Sequence, residues 1–370
     1  MKPATIITTT NHNVGDDFVR EGILYLLRES GCTLPVELIH KHSPVTAVHG
    51  LELVRKLRVS RVLDPIARRL RLENRIDQAE VLIQSGAPIY WCHENGPHCS
   101  DNEWFAPLVR KRFLPRRIGR PFLNIAGGSC QRYHSDGSEL TSCPACCRYI
   151  QEFYDVCDLT LLRDDLARKM LNLAGREARV LPCTSIFARD ELNIQPEPGE
   201  YIVLNFMENG GHFTFGQNID GALWRRQFVE LAGMAKKMGR VVVACHTPKE
   251  EALARELVPF LERYLVPNEH TAYMNFYARA KWGVFNRVHG AFMMASFGRP
   301  AALIGNDSRA RMIENLNLMS YFVGDVSAVG LENIIESARS RCADYAEESA
   351  AIRSSAKGAY LDELRVALKL

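Results

Sequence analysis

The chain has 370 residues, of which 46% are hydrophobic and 24% are charged. This composition is that of an ordinary globular protein, and the length favours about two domains over one compact core. No apolar run is long enough to span a membrane. The N-terminal sequence MKPATIITTT lacks the apolar core of a secretory signal, so we expect a cytoplasmic protein.

Basic residues are concentrated in two stretches, although the formal net charge is only +3. Residues 51–75 hold eight Lys and Arg against three acids, and residues 110–120 hold six with no acid. Such stretches are typical of solvated helix faces, or of a surface that contacts phosphates or an anionic membrane face. Both interpretations stay open, and we expect no nucleic-acid partner.

The first half of the chain alternates predicted strands and helices. Apolar, β-branched runs predict strands at 4–8, 81–84, 121–126, 159–163 and 179–181. The spacing of apolar residues predicts a helix at 18–29 and another that ends near 173. The polar turn NHNVGDD joins the first strand to the first helix, which gives a βα unit of the kind that builds parallel sheets.

The second half repeats this alternation after residues 193–199, a segment with two prolines and a glycine that is typical of a linker. Strands are predicted at 201–206, 241–245, 282–285 and 301–304, and helices at 223–238, 249–264, 290–296, 308–316 and 331–370. We therefore predict an α/β fold of two Rossmann-like domains facing a cleft. Their bounds are 1–192 and 200–345, and a C-terminal helix follows at 346–370. Ligands of such sheets bind at the carboxyl ends of the strands.

Two of the loops at those strand ends carry candidate binding residues. After the first strand come Asn13, Gly15 and Asp16, where glycine allows a tight turn and the next helix offers free N–H groups to an anion. Asp16 could instead cap that helix. His246 ends the strand at 241–245, either on the ligand side of the sheet or as a loop histidine bonded to the backbone.

The strongest candidate is FNRVHGAFMMASFGRP, residues 285–300, where Arg287 and His289 lie between a strand and a helix. Arginine can bind a carboxylate or phosphate with two parallel hydrogen bonds. The positive end of the helix disfavours imidazolium, so His289 suits general acid–base work, with capping or packing of the helix as the structural alternative. Asn306 lies in a further strand-to-helix turn, which predicts a second anion site or a capping turn.

Together these motifs resemble the polysaccharide pyruvyl transferase family, from the first strand to about residue 316. The resemblance rests on Asn13-x-Gly15-Asp16, Arg163-Asp164, His246-Thr247, Arg287-x-His289-Gly290 and Gly298-Arg299-Pro300. It implies a two-domain fold like that of GT-B glycosyltransferases. It also implies transfer of the enolpyruvyl unit from phosphoenolpyruvate to a sugar hydroxyl, which yields a pyruvate ketal and phosphate.

The resemblance further implies that Arg287 and His289 belong to the donor site, and the chemistry of the transfer then indicates individual roles. Arg287 would bind the donor's phosphate or carboxylate, His289 would protonate its methylene carbon, and His246 would be their neighbour. Glu250 or Glu251 would take the acceptor's proton. The predicted substrate-binding residues are Asn13, Gly15, Asp16, Arg163, Gly290 and Asn306. The partners would be phosphoenolpyruvate and a sugar acceptor, and no cofactor is required.

Two other functions fit the same sequence. One is a GT-B-type glycosyltransferase that uses a nucleotide-sugar, in which the loops at 287–289 and 305–308 bind a diphosphate. The other is a non-catalytic metal-binding or sensor relative, in which the cysteines hold the metal.

The chain contains eleven cysteines, and without a secretory signal we do not expect a disulfide framework. A C-x-x-C pair with outlying thiols can bind zinc or an iron–sulfur cluster. The candidate ligands are Cys130, Cys143, Cys146 and Cys147, and another pair, Cys92 and Cys99, brackets two histidines. Because only one C-x-x-C is present, a set of buried, unligated thiols is the alternative.

Overall fold

The computed structural model describes residues 2–9, 13–41, 76–94, 96–102, 104–208 and 217–370. Its first sheet is seven-stranded and has the order β2-β1-β3-β5-β6-β7, with β4 paired to β5. All of these pairings are parallel, so the carboxyl ends of the strands meet at one edge. The strands are β1 (Ala4–Thr8), β2 (Val36–His40), β3 (Val81–Ser85), β4 (Pro88–Tyr90), β5 (Phe122–Ser129), β6 (Leu159–Leu162) and β7 (Arg179–Val180).

The second sheet is six-stranded, also parallel, and has the order β10-β9-β8-β11-β12-β13. Its strands are β8 (Tyr201–Leu204), β9 (Val241–Ala244), β10 (Glu262–Tyr264), β11 (Ala280–Phe285), β12 (Ala301–Gly305) and β13 (Met319–Phe322). The central strands β8, β9 and β12 are buried along their whole length, as expected for a parallel sheet covered on both faces.

Helices connect the strands of both sheets. In the first domain they are α1 (Val14–Ser30), α2 (Pro144–Val156), α3 (Asp165–Leu173) and α4 (Ala188–Glu191), with a nine-residue π-helical segment at Phe105–Phe113. In the second domain they are α5 (Gly221–Met238), α6 (Pro248–Leu257), α7 (His270–Ala278), α8 (Val288–Ser296), α9 (Val326–Val329) and α10 (Leu331–Arg339). A 3-10 helix covers Ser308–Leu316, and α11 (Tyr345–Leu368) is the last helix.

The first helix shows how the sequence sets these boundaries. Asn13 caps α1 by accepting a hydrogen bond from the Gly15 amide at 3.1 Å, and Gly31 ends the helix in the left-handed conformation with φ of 95°. Phe18, Ile23 and Leu26 are fully buried on one side. The helix thereby fixes its own N-terminus at the carboxyl edge of the first sheet.

The C-terminal helix α11 crosses back from the second domain to the first. Arg353 contacts Asp190 at 2.5 Å, and Lys357 contacts Glu29 at 2.7 Å. The Tyr360 hydroxyl donates to the Pro182 carbonyl at 2.9 Å. The chain therefore ends packed against the domain in which it began.

The predicted fold class is confirmed, since two Rossmann-like domains with parallel sheets are present. The helix predicted at 249–264 ends at Leu257, and Glu262–Tyr264 forms a strand instead. Pro259 explains the break, because the residue before a proline is disfavoured in helical conformation. The unpredicted strands β2 and β13 are partly exposed, which weakens their sequence signal.

Among the residues that the structure describes, three of the six basic residues at 110–120 are paired with acids. Arg110 contacts Glu152 at 2.6 Å, Arg112 contacts Asp77 at 3.1 Å, and Arg117 forms an ion pair with Asp158. This pairing supports the interpretation as a solvated, internally balanced face. The other stretch, 51–75, lies outside the described residues. Among the described helices none is both long and apolar enough to cross a bilayer.

Candidate active site in the interdomain cleft

A cleft of about 330 Å³ lies between the carboxyl edges of the two sheets. Residues of the first domain form one wall and residues of the second form the other. The first wall contains Asn13, Gly15, Asp16, Pro88 and Arg163, and the second contains Met207, His246, Asn286, Arg287, Val288, His289, Leu303, Gly305, Asn306, Asp307, Arg309 and Ala310.

The N-terminus of α8 opens into this cleft without a side-chain cap. Val288 and His289, the first two residues of the helix, both line the cleft. By contrast, Asn13 caps α1, and Asp307 accepts from the Arg309 amide at 3.0 Å at the start of the 3-10 helix. The positive end of α8 is therefore available to an anion.

Arg287 is held in place by a buried glutamate. Its Nε donates to Glu250 Oε1 at 2.7 Å, and Glu250 is only 5% exposed. Glu250 also accepts from the His246 amide at 2.9 Å. Burial alone would raise the pKa of Glu250, but the charge and hydrogen bonds of Arg287, together with those of His246, hold that pKa below its ordinary value. Glu250 thus positions Arg287, and its lone pairs are engaged in doing so.

Arg163 is a second guanidinium in the cleft, and it forms no ion pair with a carboxylate among the described residues, although its charge helps to lower the pKa of Asp16. It follows β6, is 1% exposed, and its Nε has no hydrogen-bond partner in the described part of the chain. Its Nη1 lies 3.9 Å from the Cys183 sulfur. Buried charges are usually paired, so this cation indicates a binding site for an anion.

Two amides of the second wall also carry buried, unpartnered atoms. Asn286 Oδ1 and Asn306 Nδ2 make no hydrogen bond within the described residues, although both side chains are at least nine-tenths buried. Nδ2 of Asn286 is engaged, since it donates to the Ile304 carbonyl. The cleft therefore offers an unused acceptor as well as unused donors to a polar ligand.

Both histidines of the cleft are neutral near pH 7. Burial and the nearby Arg163 lower the pKa of His289 to about 3, and burial together with Arg287 lowers the pKa of His246 to about 4. His246 Nε2 lies 2.7 Å from the Tyr277 hydroxyl. A neutral imidazole can accept a proton or a hydrogen bond, but it is a weak proton donor.

Asp16 is the acid of the first wall. Burial would raise the pKa of its carboxyl, but the charge of Lys41, whose Nζ lies 4.0 Å from Oδ2, helps to hold that pKa below its ordinary value. Asp16 is therefore ionised near neutral pH. It is a better candidate base than Glu250, which is bound to Arg287, or Glu251, which contacts Arg255 at 2.7 Å.

The structure brings most of the sequence-predicted site residues together in this cleft. His289, Arg287, His246, Asn13, Gly15, Asp16, Arg163 and Asn306 all line it. Gly290 does not line the cleft. A Cβ at this position would meet the Phe285 ring at 2.5 Å, so this glycine serves the packing of α8 on β11. Sequence reasoning missed Arg309, which follows the 305–308 turn and pairs with Asp307 at 2.6 Å.

The candidate metal ligands are only partly as predicted. Cys143 and Cys146 come together with Cys92 and His98, and the four ligand atoms lie within 4.8 Å of one another. Cys130 and Cys147 are not part of this group. Cys130 follows β5, and Cys147 comes one position after Cys146 in α2. None of the four grouped residues lines the cleft.

No protein-family model matches the chain, and no curated protein matches it. Solved structures do match over its whole length. A structure of S. aureus MnaA with UDP has a TM-score of 0.56 at 13% identity and covers 100% of this chain and 98% of that one. A Listeria monocytogenes protein proposed to be a UDP-N-acetylglucosamine 2-epimerase has a TM-score of 0.52 at 12% identity, with 97% of both chains covered. Another UDP-N-acetylglucosamine 2-epimerase has a TM-score of 0.52 at 13% identity, with 99% and 95% covered.

These matches define the fold class as GT-B-like, with two Rossmann-like domains. The expectation of pyruvyl transfer from phosphoenolpyruvate is wrong, because the whole-length matches are to proteins named for UDP or a UDP-sugar. The site agrees with this correction. Protonation of a methylene carbon needs a strong proton donor, whereas His289 is neutral near pH 7.

Proposed function

We propose that the chain is an enzyme that acts on a nucleotide-sugar and holds its diphosphate in the interdomain cleft. The observation that carries the proposal is Arg163, a buried cation of the first domain that forms no ion pair with a carboxylate among the described residues. It shares the cleft with the uncapped N-terminus of α8 from the second domain. Both groups favour phosphate oxygens.

The same two groups would promote cleavage of the bond between the sugar and the diphosphate. Negative charge grows on the leaving phosphate as that bond breaks, and fixed donors aimed at the charge lower the barrier. Arg163 and the amides of Val288 and His289, which line the cleft, would be such donors. Arg287 adds a third positive group whose position is set by Glu250.

Asp16 and His289 would face the sugar. Asp16 is ionised, so it can accept a proton from a sugar or acceptor hydroxyl. His289 is neutral and can orient a hydroxyl by a hydrogen bond. The asparagines Asn286 and Asn306, each with an unused polar atom, would fix further oxygens of the ligand.

Two reactions fit this site. In transfer of the sugar to an acceptor hydroxyl, Asp16 would act as the base for that hydroxyl. In epimerisation, Asp16 and His289 would instead act on the sugar of the bound nucleotide-sugar. The matched structures that are named as UDP-N-acetylglucosamine 2-epimerases favour the second reaction.

The proposal is tested by incubating the protein with a panel of UDP-sugars, with and without sugar acceptors, and following the products by NMR and mass spectrometry. A new glycoside together with free UDP would establish transfer. An epimeric sugar still attached to UDP would establish epimerisation. If the protein neither binds nor converts any nucleotide-sugar, the proposal is overturned.

A further inference from the structure

Three cysteines and one histidine of the first domain converge at a point away from the cleft. They are Cys92, His98, Cys143 and Cys146, and their ligand atoms all lie within 4.8 Å of one another. His98 Nδ1 lies 3.8 Å from Cys92 Sγ and 3.7 Å from Cys143 Sγ. These distances place one ring nitrogen between two sulfurs from different parts of the chain.

Two of the spacings agree with a single tetrahedral ion. With Zn–S of about 2.3 Å and Zn–N of about 2.0–2.1 Å, tetrahedral geometry separates sulfur from nitrogen by about 3.6 Å. The two measured sulfur–nitrogen distances, 3.8 and 3.7 Å, are close to this value. An iron–sulfur cluster would need its thiolates farther apart, because several iron and sulfide atoms lie between them.

The backbone around the four residues holds them in this arrangement. Cys143 is the N-cap residue of α2 and Cys146 lies in its first turn, with Pro144 between them at the first helical position. Cys92 and His98 pair across an isolated antiparallel bridge. Thiolates are favoured at a helix N-terminus, so the C-x-x-C pair occupies a suitable position for binding a cation as thiolates.

We propose that Cys92, His98, Cys143 and Cys146 bind one structural Zn²⁺. Three thiolates and an imidazole fill a tetrahedral shell, which leaves no position for substrate or water, and that is the pattern of a structural site. Cys92 and Cys146 are buried, and His98 and Cys143 are partly so, which protects the ion from exchange.

The zinc would also support the wall of the cleft. The Cys92 amide donates to Gln131 Oε1 at 3.1 Å, and Gln131 Nε2 returns a bond to the Cys92 carbonyl at 2.9 Å. The Gln131 amide in turn donates to Ser308 Oγ at 2.9 Å, and the Ser308 amide donates to the Gln131 carbonyl at 3.0 Å. Ser308 adjoins Asp307 in the cleft, so the metal loop and the second domain are linked through one glutamine.

The test is metal analysis by mass spectrometry of the purified 370-residue chain, prepared without an affinity tag that binds metal. We expect one zinc per chain. Cys143→Ser should lose most of it, whereas Cys147→Ser, a thiol of the same helix outside the group, should retain it. Cobalt added after removal of zinc should give the intense visible absorption of a tetrahedral thiolate site.

Loss of zinc should lower the melting temperature of the wild-type protein, and adding zinc back should restore it. Because the wild-type chain is used for this measurement, it does not depend on whether a cysteine variant folds. A protein that holds no zinc after purification and binds no cobalt would overturn the proposal, as would a disulfide among these three cysteines. An equal loss of zinc in the Cys147→Ser protein would do the same. None of these outcomes depends on nucleotide-sugar activity.

Discussion

Gly15 of the first domain and His289 of the second are in contact across the interdomain cleft. A Cβ built on Gly15 would lie 2.4 Å from His289 Nδ1, so the α1 backbone touches the imidazole of the other domain. The second position of α1 therefore has no room for a side chain while His289 keeps its place. This contact joins the loop after β1 to the loop after β11 in one site.

The first prediction follows from that contact. Gly15→Ala must displace either the His289 ring or the start of α1, and a displacement of about 1 Å near the reacting groups can lower kcat/KM roughly 100-fold. The measurement is turnover of the nucleotide-sugar, with urea unfolding to check the fold. Gly221→Ala is the matched control, since a Cβ at the start of α5 meets nothing within 4 Å. Unchanged turnover in Gly15→Ala would contradict the assigned geometry.

Arg287→Ala should lower the free energy of unfolding as well as disturb the site. Glu250 is 5% exposed, and without the guanidinium its charge would be buried and unpaired, which costs about 3 kcal/mol. Arg255→Ala is the control, because Arg255 is exposed and Glu251 keeps Arg263 as a second partner at 3.4 Å, so little stability should be lost. Urea unfolding of the two variants measures the difference. Equal stability of the two would show that Arg287 and Glu250 are not coupled in this way.

Acidification should destabilise the free protein below pH 6.5 through its neutral histidines. The folded pKa of His246 is about 4, below the ordinary value of 6.5, so the unfolded chain binds protons first and stability falls as the pH drops. One such histidine contributes a loss of about 1 kcal/mol between pH 7 and pH 5.5. Urea unfolding at both pH values should show a smaller loss in His246→Gln than in the wild type. The same loss in both proteins would mean that His246 is not buried in the neutral form.

The fold could be predicted from the sequence because its central strands are apolar and regularly spaced. Residues 4–8 and 241–244 lie in strands of the two sheets and are fully buried. The edge strand Glu262–Tyr264 falls within a helix that the sequence predicts, because its three residues carry little apolar signal of their own. This edge strand forms because it pairs with residues 242–244, and those residues lie elsewhere in the chain.

The site was predictable where a single loop carries its own signal. Arg287 and His289 stand together between a strand and a helix, and the rule that ligands bind at strand ends locates them. Two features had no local signal. The lack of an ion pair for Arg163 depends on which acids the fold places near it. The group of Cys92 and His98 with the C-x-x-C pair depends on the fold bringing together two segments about fifty residues apart.

Binding of UDP to the wild type and to Arg163→Ala, measured by isothermal titration calorimetry, tests the central claim most directly. Hydrogen bonds to a charged group contribute about 1.5–3 kcal/mol, so loss of Arg163 should weaken UDP binding by roughly 10- to 150-fold. Arg168→Ala, which removes an exposed arginine of α3 that pairs with Asp165, should bind UDP like the wild type. If the wild type does not bind UDP, or if Arg163→Ala binds UDP as tightly as the wild type does, the proposal that Arg163 holds a diphosphate in the cleft is wrong.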